Sequence, residues 1–507
     1  MAAQTRTSWQ FGAVRSTAGN CRRSGCARVR ALILPVVLIV LLLLSLLTAS
    51  YAFYAQADHA AGMAMSQRLE CRLAAEAGIQ AVRHLLRSER DNPQAWYSNP
   101  ARFDQALVWS PNATEETIGK GELNEESGDR VAYRFSIVAD NPLDDETLVR
   151  YGITDESAKV NINFASEEQL LKLIAPLITD GREPLELVHA IMDWRDPDDE
   201  PREFGAESLY YGSLPTPHRA KNAPFETVEE LLMVKGIDGR LLYGEDYDRN
   251  GLLTPNEDDG ETSFPMDNGD GILDRGLLPY ITVYSHDFNV SNDNKPRIYM
   301  FTDAAKIRPR LEEVFGDQQV VDFLIGATRE RGTSKTYTLA LYLEDRTIDN
   351  ILQSSPLRGP AIAKLFDYCT LNQAPQQYGL ININTAPAKV LACIKDLPPE
   401  AIPLIIQKRA TVTGPIKSTI GWLLTEKILD SHTFSLVENQ ITARGRQFSI
   451  ESIGFADHVG VFSRLQEVVD MRGPLAQVVY HRDLTRLGLA YPVRGREGER
   501  RLVIAEE

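Results

Sequence analysis

No acidic residue occurs before Asp58, and no charge of either sign falls between Ala31 and Ala57. The first 30 residues carry only positive charge, at Arg6, Arg15, Arg22, Arg23, Arg28 and Arg30. A run this long without charge excludes an ordinary soluble amphipathic start. About 20 apolar residues cross a hydrocarbon core of about 30 Å as a helix. Leu32 to Thr48 contains only apolar residues, Ser45 and Pro35, and Pro35 falls in the first turn, where a missing N–H costs little. Ala49-Ser50-Tyr51-Ala52 imitates a signal-peptide cleavage site, but a secretory apolar region runs about 7–15 residues and this one is longer. Arginine before the span and Asp58 after it orient the N-terminus to the cytoplasm and export the bulk of the chain.

Cysteine is scarce, with five in 507 residues, which excludes a disulfide framework. Cys21 and Cys26 lie in the basic tail and Cys71 on the long helix. Cys369 and Cys393 share the exported part, where spacing alone does not establish a bridge. Basic residues are also in deficit. The net charge is −16, and the tail contributes +6, so the rest carries −22. Phosphate backbones are bound by arrays of Lys and Arg, which such a body does not supply. Catalytic patterns are missing too. No Ser–His–Asp order, phosphate-binding glycine loop or Cys–His pairing stands out, and His189 and His218 lack metal-site spacing.

What is present begins with continuity. Beyond the apolar run the chain reads on as helix through Met63, Leu69, Ala74, Ala75, Ile79, Val82 and Leu85 to about Arg87, and Asn92-Pro93 ends it. In Arg130–Ala139, Val131, Tyr133, Phe135 and Ile137 alternate as one face of a strand. Helical patterning follows, then a glycine-bearing acidic segment, more strand, a second helical stretch in which Tyr337–Leu343 has strand character, and strands at Gln447–Met471 and Val478–Tyr480. The expected organisation is a basic leader (1–30); a long helix (31–90, spanning the membrane at 31–52); and a first core part (91–153). There follow a first helical domain (154–244), an acidic loop region (245–277), a strand segment (278–303), a second helical domain (304–430) and C-terminal strands (431–507). Helical blocks inside a chain that begins and ends in strands indicate an α+β core with large insertions.

One pattern repeats. Val160-Asn161-Ile162-Asn163-Phe164-Ala165 and Ile381-Asn382-Ile383-Asn384-Thr385-Ala386 each precede an apolar helix, and Asn222-Ala223-Pro224-Phe225 opens a related unit. Asn satisfies turn and cap donors while Ile packs inward. Ser166 with Gln169 and Thr227 with Glu230 have capping-box spacing. The units resemble small helix-hairpin-helix blocks, a DNA-binding type whose hairpin amides hold phosphate. Lys235-Gly236-Ile237-Asp238-Gly239 comes nearest to such a hairpin but carries an acid, and Asp396–Glu400 has no glycine.

The sharpest local motif is Asp246-Tyr247-Asp248-Arg249-Asn250-Gly251-Leu252-Leu253-Thr254-Pro255-Asn256-Glu257, which fits the twelve-residue calcium loop at every fixed position. Asp246, Asp248 and Asn250 offer side-chain oxygens, Leu252 its carbonyl and Glu257 a bidentate carboxylate, while Gly251 permits the turn. Asp267, Asp270 and Asp274 form a second acidic turn that could join the site, since crowded carboxylates repel unless a cation sits among them. The acidic run Asp193–Glu200 contains Arg195 and reads as a structural turn or a further calcium site rather than a hydrolase centre.

Taken in order, five motifs resemble one family, the K-type minor pseudopilins of type II secretion. They are Ala74-Ala75-Glu76-Ala77-Gly78 on the long helix, Val160–Ala165, Ile191-Met192-Asp193-Trp194-Arg195-Asp196, Arg219–Phe225 and Asn382–Ala386, with weaker support from Gln466–Asp470. The resemblance implies a pilin-like long transmembrane helix packed on a small antiparallel sheet, with inserted helical domains of helix-hairpin-helix or SAM-like type. It implies bound calcium, no enzymatic activity, no nucleic acid, and a single-pass inner-membrane protein with its bulk in the periplasm. The implied partners are I- and J-type minor pseudopilins at a pseudopilus tip, the inner-membrane platform and prepilin peptidase. A span without acid fits a tip subunit, which has no neighbour above it to neutralise. The nearest processing glycine is Gly25, and a cut there leaves Arg28 and Arg30 at the membrane edge. The competing reading is a membrane-anchored DNA-binding protein of competence type, which shares the Asn-Ile-Asn-x-Ala pattern. A calcium-dependent hydrolase is a weaker third.

Overall fold

The computed structural model describes residues 33–109, 132–141, 149–178, 181–330, 337–456, 460–473 and 475–489. Gly25 and the basic tail lie outside the described residues. The chain divides into two compact units, Met1–Ser66 and Gln67–Glu507.

In the first unit the described residues are helical, and those from Leu34 to Leu47 are all exposed. They belong to helix α1, Ile33–Glu89, which among the described residues is the one helix long and apolar enough to cross a membrane. The helix continues into the second unit as the residue pattern indicates and ends three residues before Asn92-Pro93.

The second unit is built around a seven-stranded antiparallel sheet. Its strands are β1 (Ala106–Trp109), β2 (Tyr133–Asp140), β3 (Val149–Arg150), β4 (Thr154–Asp155), β5 (Gln447–Ala456), β6 (Phe462–Asp470) and β7 (Gln477–Asp483). The main path runs β1-β2-β5-β6-β7, with β3 beside β2 and β4 beside β5. β2 meets β5 across some 300 residues of intervening chain, pairing Glu451 with Val138 and Phe455 with Arg134. The helical blocks are therefore insertions between neighbouring strands.

One face of α1 covers this sheet. Cys71, Ala74, Ala75, Ile79, Val82 and Leu86 are buried, and Ile79, Val82 and Leu86 pack in one cluster with Phe135, Ile137, Phe448 and Ile450. Each large side chain buried there contributes about 1.5–3 kcal/mol. The small residues are there for closeness. A Cβ at Gly454 of β5 would sit 2.0 Å from the Cys71 carbonyl oxygen, and one at Gly78 would meet the Ser452 hydroxyl at 2.5 Å. The Ala-Ala-Glu-Ala-Gly segment thus lets helix and sheet backbones approach within a distance no larger side chain permits.

The inserted region contains the same device twice. Val160–Asn161 pairs in parallel with Ile281–Thr282, and Ile381–Asn382 pairs in parallel with Ile441–Thr442. In the first copy the Asn161 side chain caps the amide of Asn163, and Asn163 binds both the carbonyl and the amide of Phe225. In the second, Asn382 caps Asn384, and the Asn384 amide donates to Lys417 and Ala443. Asn222–Phe225 is consequently a turn of the first copy, corresponding to the Pro415 turn of the second. Arg195 and Arg409 occupy matching places, each donating at 2.6 Å to the carbonyl that ends the motif, Ala165 or Ala386.

Between the copies lies a separate helical segment, with Ala304–Phe315, Gln318–Arg329 and Pro360–Tyr368 around Leu311, Leu324 and Leu365. Two local expectations change. Leu339–Leu343 forms a 3-10 helix rather than a strand, its start bound by the Glu438 carboxylate. Ser166 and Gln169 form the expected reciprocal capping box, but Thr227 makes no side-chain cap. Its intended partner Glu230 instead accepts from Trp194 and Lys221. Cys369 and Cys393 are buried free thiols.

Candidate metal centre

The calcium-type loop follows a short helix, Gly239–Tyr243, and ends in a 3-10 turn, Pro255–Glu257. Its coil is built by its own side chains. The Asp246 carboxylate accepts from the Gly251 amide at 3.1 Å, Asp248 from the Asn250 amide at 3.0 Å, and Asn250 from the Leu252 amide at 2.6 Å. Arg249 and Gly251 have φ of 56° and 71°, so the chain reverses around the carboxylates, and the glycine takes the left-handed turn without strain. At the far end Glu257 accepts from the amide and hydroxyl of Thr254, which aims its carboxylate back at the loop's start.

One carboxylate oxygen from each of Asp246, Asp248 and Glu257 comes within 4.8 Å of the others. Asp246 and Glu257 are buried, and so is Asn250. Burial pushes the Asp246 carboxyl up to about 7, against the pull of Arg275, and burial likewise raises Glu257. Carboxylates held together in this way favour a proton or a hard cation, and oxygen donors at this spacing suit calcium. Leu252 lies at the bend, where its carbonyl is the remaining expected donor.

Asp267, Asp270 and Asp274 are not brought into this cluster. The Asp267 carboxylate takes the amides of Asp259, Gly260 and Gly269; Asp270 takes that of Ile272; and Asp274 that of Gly276. They shape the turns of the acidic segment. Glu245, which the motif does not flag, closes its base by accepting from the Asn268 and Asp274 amides.

A second cluster joins Asp196, Asp198 and Glu207, again with ligand atoms within 4.8 Å. Glu207 is 3% exposed, and neither carboxylate oxygen has a hydrogen-bond partner. Burial, and then Asp193 and Asp196, push it up to about 7. Arg202 pairs with Asp193 and Asp196 on the same loop. Glu207 escapes a sequence reading because the loop folds back over Gly205 to reach the aspartates. The weak signal is an acid placed just after Gly205-Ala206.

The hairpin at Lys235–Gly239 is unsuited to phosphate. The Asp238 carboxylate already occupies the Leu241 amide, and Lys235 is turned inward onto the carbonyls of Phe204 and Gly205.

A long apolar helix whose distal half packs on an antiparallel sheet defines a pilin-like α+β protein with helical insertions. Residues 147–243 match the family model described as "Type II secretion system (T2SS), protein K". This segment holds the first Asn-Ile-Asn motif and the Asp196–Glu207 loop. A curated relative, the type II secretion system protein K of Pectobacterium carotovorum subsp. carotovorum, is 27% identical over 143 residues, which is 28% of this chain. The match spans 40% of that relative's length. Among solved structures, a chain of the GspK-GspI-GspJ complex from enterotoxigenic Escherichia coli aligns with a TM-score of 0.38 and 14% identity, covering 86% of this chain and 98% of that one. The family match and the curated relative support the K-type resemblance carried by the motifs.

Proposed function

We propose that this chain is a minor pseudopilin of the K type. It is anchored in the inner membrane by α1, with its body in the periplasm, and acts in assembly rather than catalysis. The observation that carries the reading is the division of labour along α1. One face of its distal half is committed to the sheet, while Leu34 to Leu47 is apolar and exposed, available to other helices in a bilayer. Helix association in lipid depends on close packing, so this segment is where I- and J-type partners would dock. The inner-membrane platform and prepilin peptidase belong to the same reading. The match over residues 147–243 supports it. DNA binding is not favoured, given the acidic body and the Asp238 carboxylate standing in the hairpin, where it caps the following helix.

Calcium is part of the proposal. Asp246, Asp248, Asn250, Glu257 and the Leu252 carbonyl would hold one ion, and Asp196, Asp198 and Glu207 suit another. In each case the cation would neutralise crowded carboxylates, of which Asp246, Glu257 and Glu207 are buried. Its role would be structural, fixing loops on the helical insertion.

Co-purification of the full chain from membranes with the pilin-like products of neighbouring genes, with and without a chelator, tests the assembly reading. Recovery of pilin-like partners is expected. Failure to recover any in either condition would sink it.

A further inference from the structure

The acidic segment is tied to the sheet by Arg275 and to the first helical block by Arg249. Arg275 donates at 2.7 Å to Asp140, the last residue of β2, and at 3.2 Å to the Gly251 carbonyl; its Nε lies 3.9 Å from Asp246. Gly251 directly precedes Leu252, whose carbonyl is an expected calcium ligand. Arg249 stands inside the loop between the donors Asp248 and Asn250. It donates at 3.0 Å to Glu229 of the first helical copy, and Arg482 of β7 donates to the same Glu229 oxygen. The Arg275 and Arg249 side chains are 12% and 15% exposed, while their partners Asp140 and Glu229 are 42% and 27% exposed, so solvent weakens the Asp140 pair more than the Glu229 pair. The same segment thus reaches an inner strand through Arg275 and shares the Glu229 carboxylate of the helical block with Arg482 of the edge strand.

We propose that a divalent cation in the Asp246–Glu257 loop clamps the first helical block to the sheet, with Arg275 and Arg249 as the two struts. The inference rests on the calcium reading above. Without the ion, repulsion among Asp246, Asp248 and Glu257 loosens the coil that presents the Gly251 carbonyl and the Arg249 side chain. With the ion, both struts are held in register, and the tension between block and sheet is set by calcium.

Hydrogen exchange of the full chain in detergent, with calcium or with a chelator, separates the steps. Calcium is expected to slow exchange about fivefold or more in the loop, in β2 near Asp140 and in β7. In the double variant Arg275→Gln, Arg249→Gln, the loop should still respond while both strands no longer do. Strands that respond equally in the double variant, or that ignore calcium in the parent while the loop responds, would overturn the clamp and leave the cation site standing. A parent loop indifferent to calcium would remove the cation site and the clamp together. Asp248→Asn, which touches neither strut, should abolish all three responses.

Discussion

The two helical copies solve one packing problem with the same parts and then diverge. Each starts with an asparagine-tied turn, closes it with an arginine onto Ala165 or Ala386, and continues to a helix capped by Asp238 or Asp430. Between the closing arginine and the proline turn, the second copy needs only Ala410–Gly414, whereas the first runs from Asp196 to Ala223. After the capped helix, the second copy reaches its strand through Glu438–Gln440, whereas the first inserts the acidic segment around Asp246–Arg275. Both candidate metal clusters fall in segments that the second copy lacks. The second copy completes the same turn, arginine and capped helix without those acids.

The comparison can be broken at its shared parts first. Asn382→Ala removes the donor to the buried Asp155 carboxylate and uncaps Asn384; a loss of about 3 kcal/mol in unfolding free energy is expected. Asn161→Ala should cost a similar amount through Ser285, and a tolerated Asn161→Ala would deny the equivalence. Chelation should next separate the copies. With calcium at a hundred times its dissociation constant, binding adds about 2.7 kcal/mol, so thermal unfolding of the full chain should fall on adding chelator. Exchange should quicken in 245–257 while 381–442 stays unchanged.

Acidity probes the second copy through Glu438, read as the difference between the parent and Glu438→Gln, because Asp246 and Glu207 of the first copy are also raised to about 7. Glu438 stands where the first copy carries its insert, and burial pushes its carboxyl from 4.5 up to about 7. A raised carboxyl binds its proton more tightly folded than unfolded. Its contribution is therefore full below about pH 4.5 and lost as pH rises through about 7. Across that window the parent should lose up to about 1.4 kcal/mol per pH unit more than Glu438→Gln, measured by denaturant titration. The smallest effects concern caps. Ser166→Ala should cost about 1 kcal/mol, and Thr227→Ala less than about 0.5 kcal/mol, in the same measurement.

Local devices were readable from residues because their causes are local. The charge-free span, the stop at Asn92-Pro93, the Ser166 box, the paired Asn-Ile-Asn turns and the coil at Asp246 all depend on neighbours within a few positions. What escaped depends on distant chain. Thr227 loses its cap because Glu230 is drawn to Trp194 and Lys221. Arg195 reads as a counter-charge to acids but serves the carbonyls of Ile162 and Ala165. Glu207 joins Asp196 and Asp198 only after the loop closes over Gly205, and Leu339–Leu343 turns helical because Glu438 binds its first amides. The sheet register itself is hardest to foresee, since β2 and β5 pair across the whole inserted chain and no local pattern fixes which residues meet.

The most direct test of this account counts calcium. Native mass spectrometry of the full chain in detergent, at millimolar calcium, should show bound ion on the parent. One fewer ion is expected on Asp246→Asn with Glu257→Gln, and an unchanged count on the second-copy variant Glu438→Gln. A parent chain that binds no calcium, or one whose count is indifferent to Asp246 and Glu257, would contradict the claim that the acidic insert of the first copy exists to hold a cation.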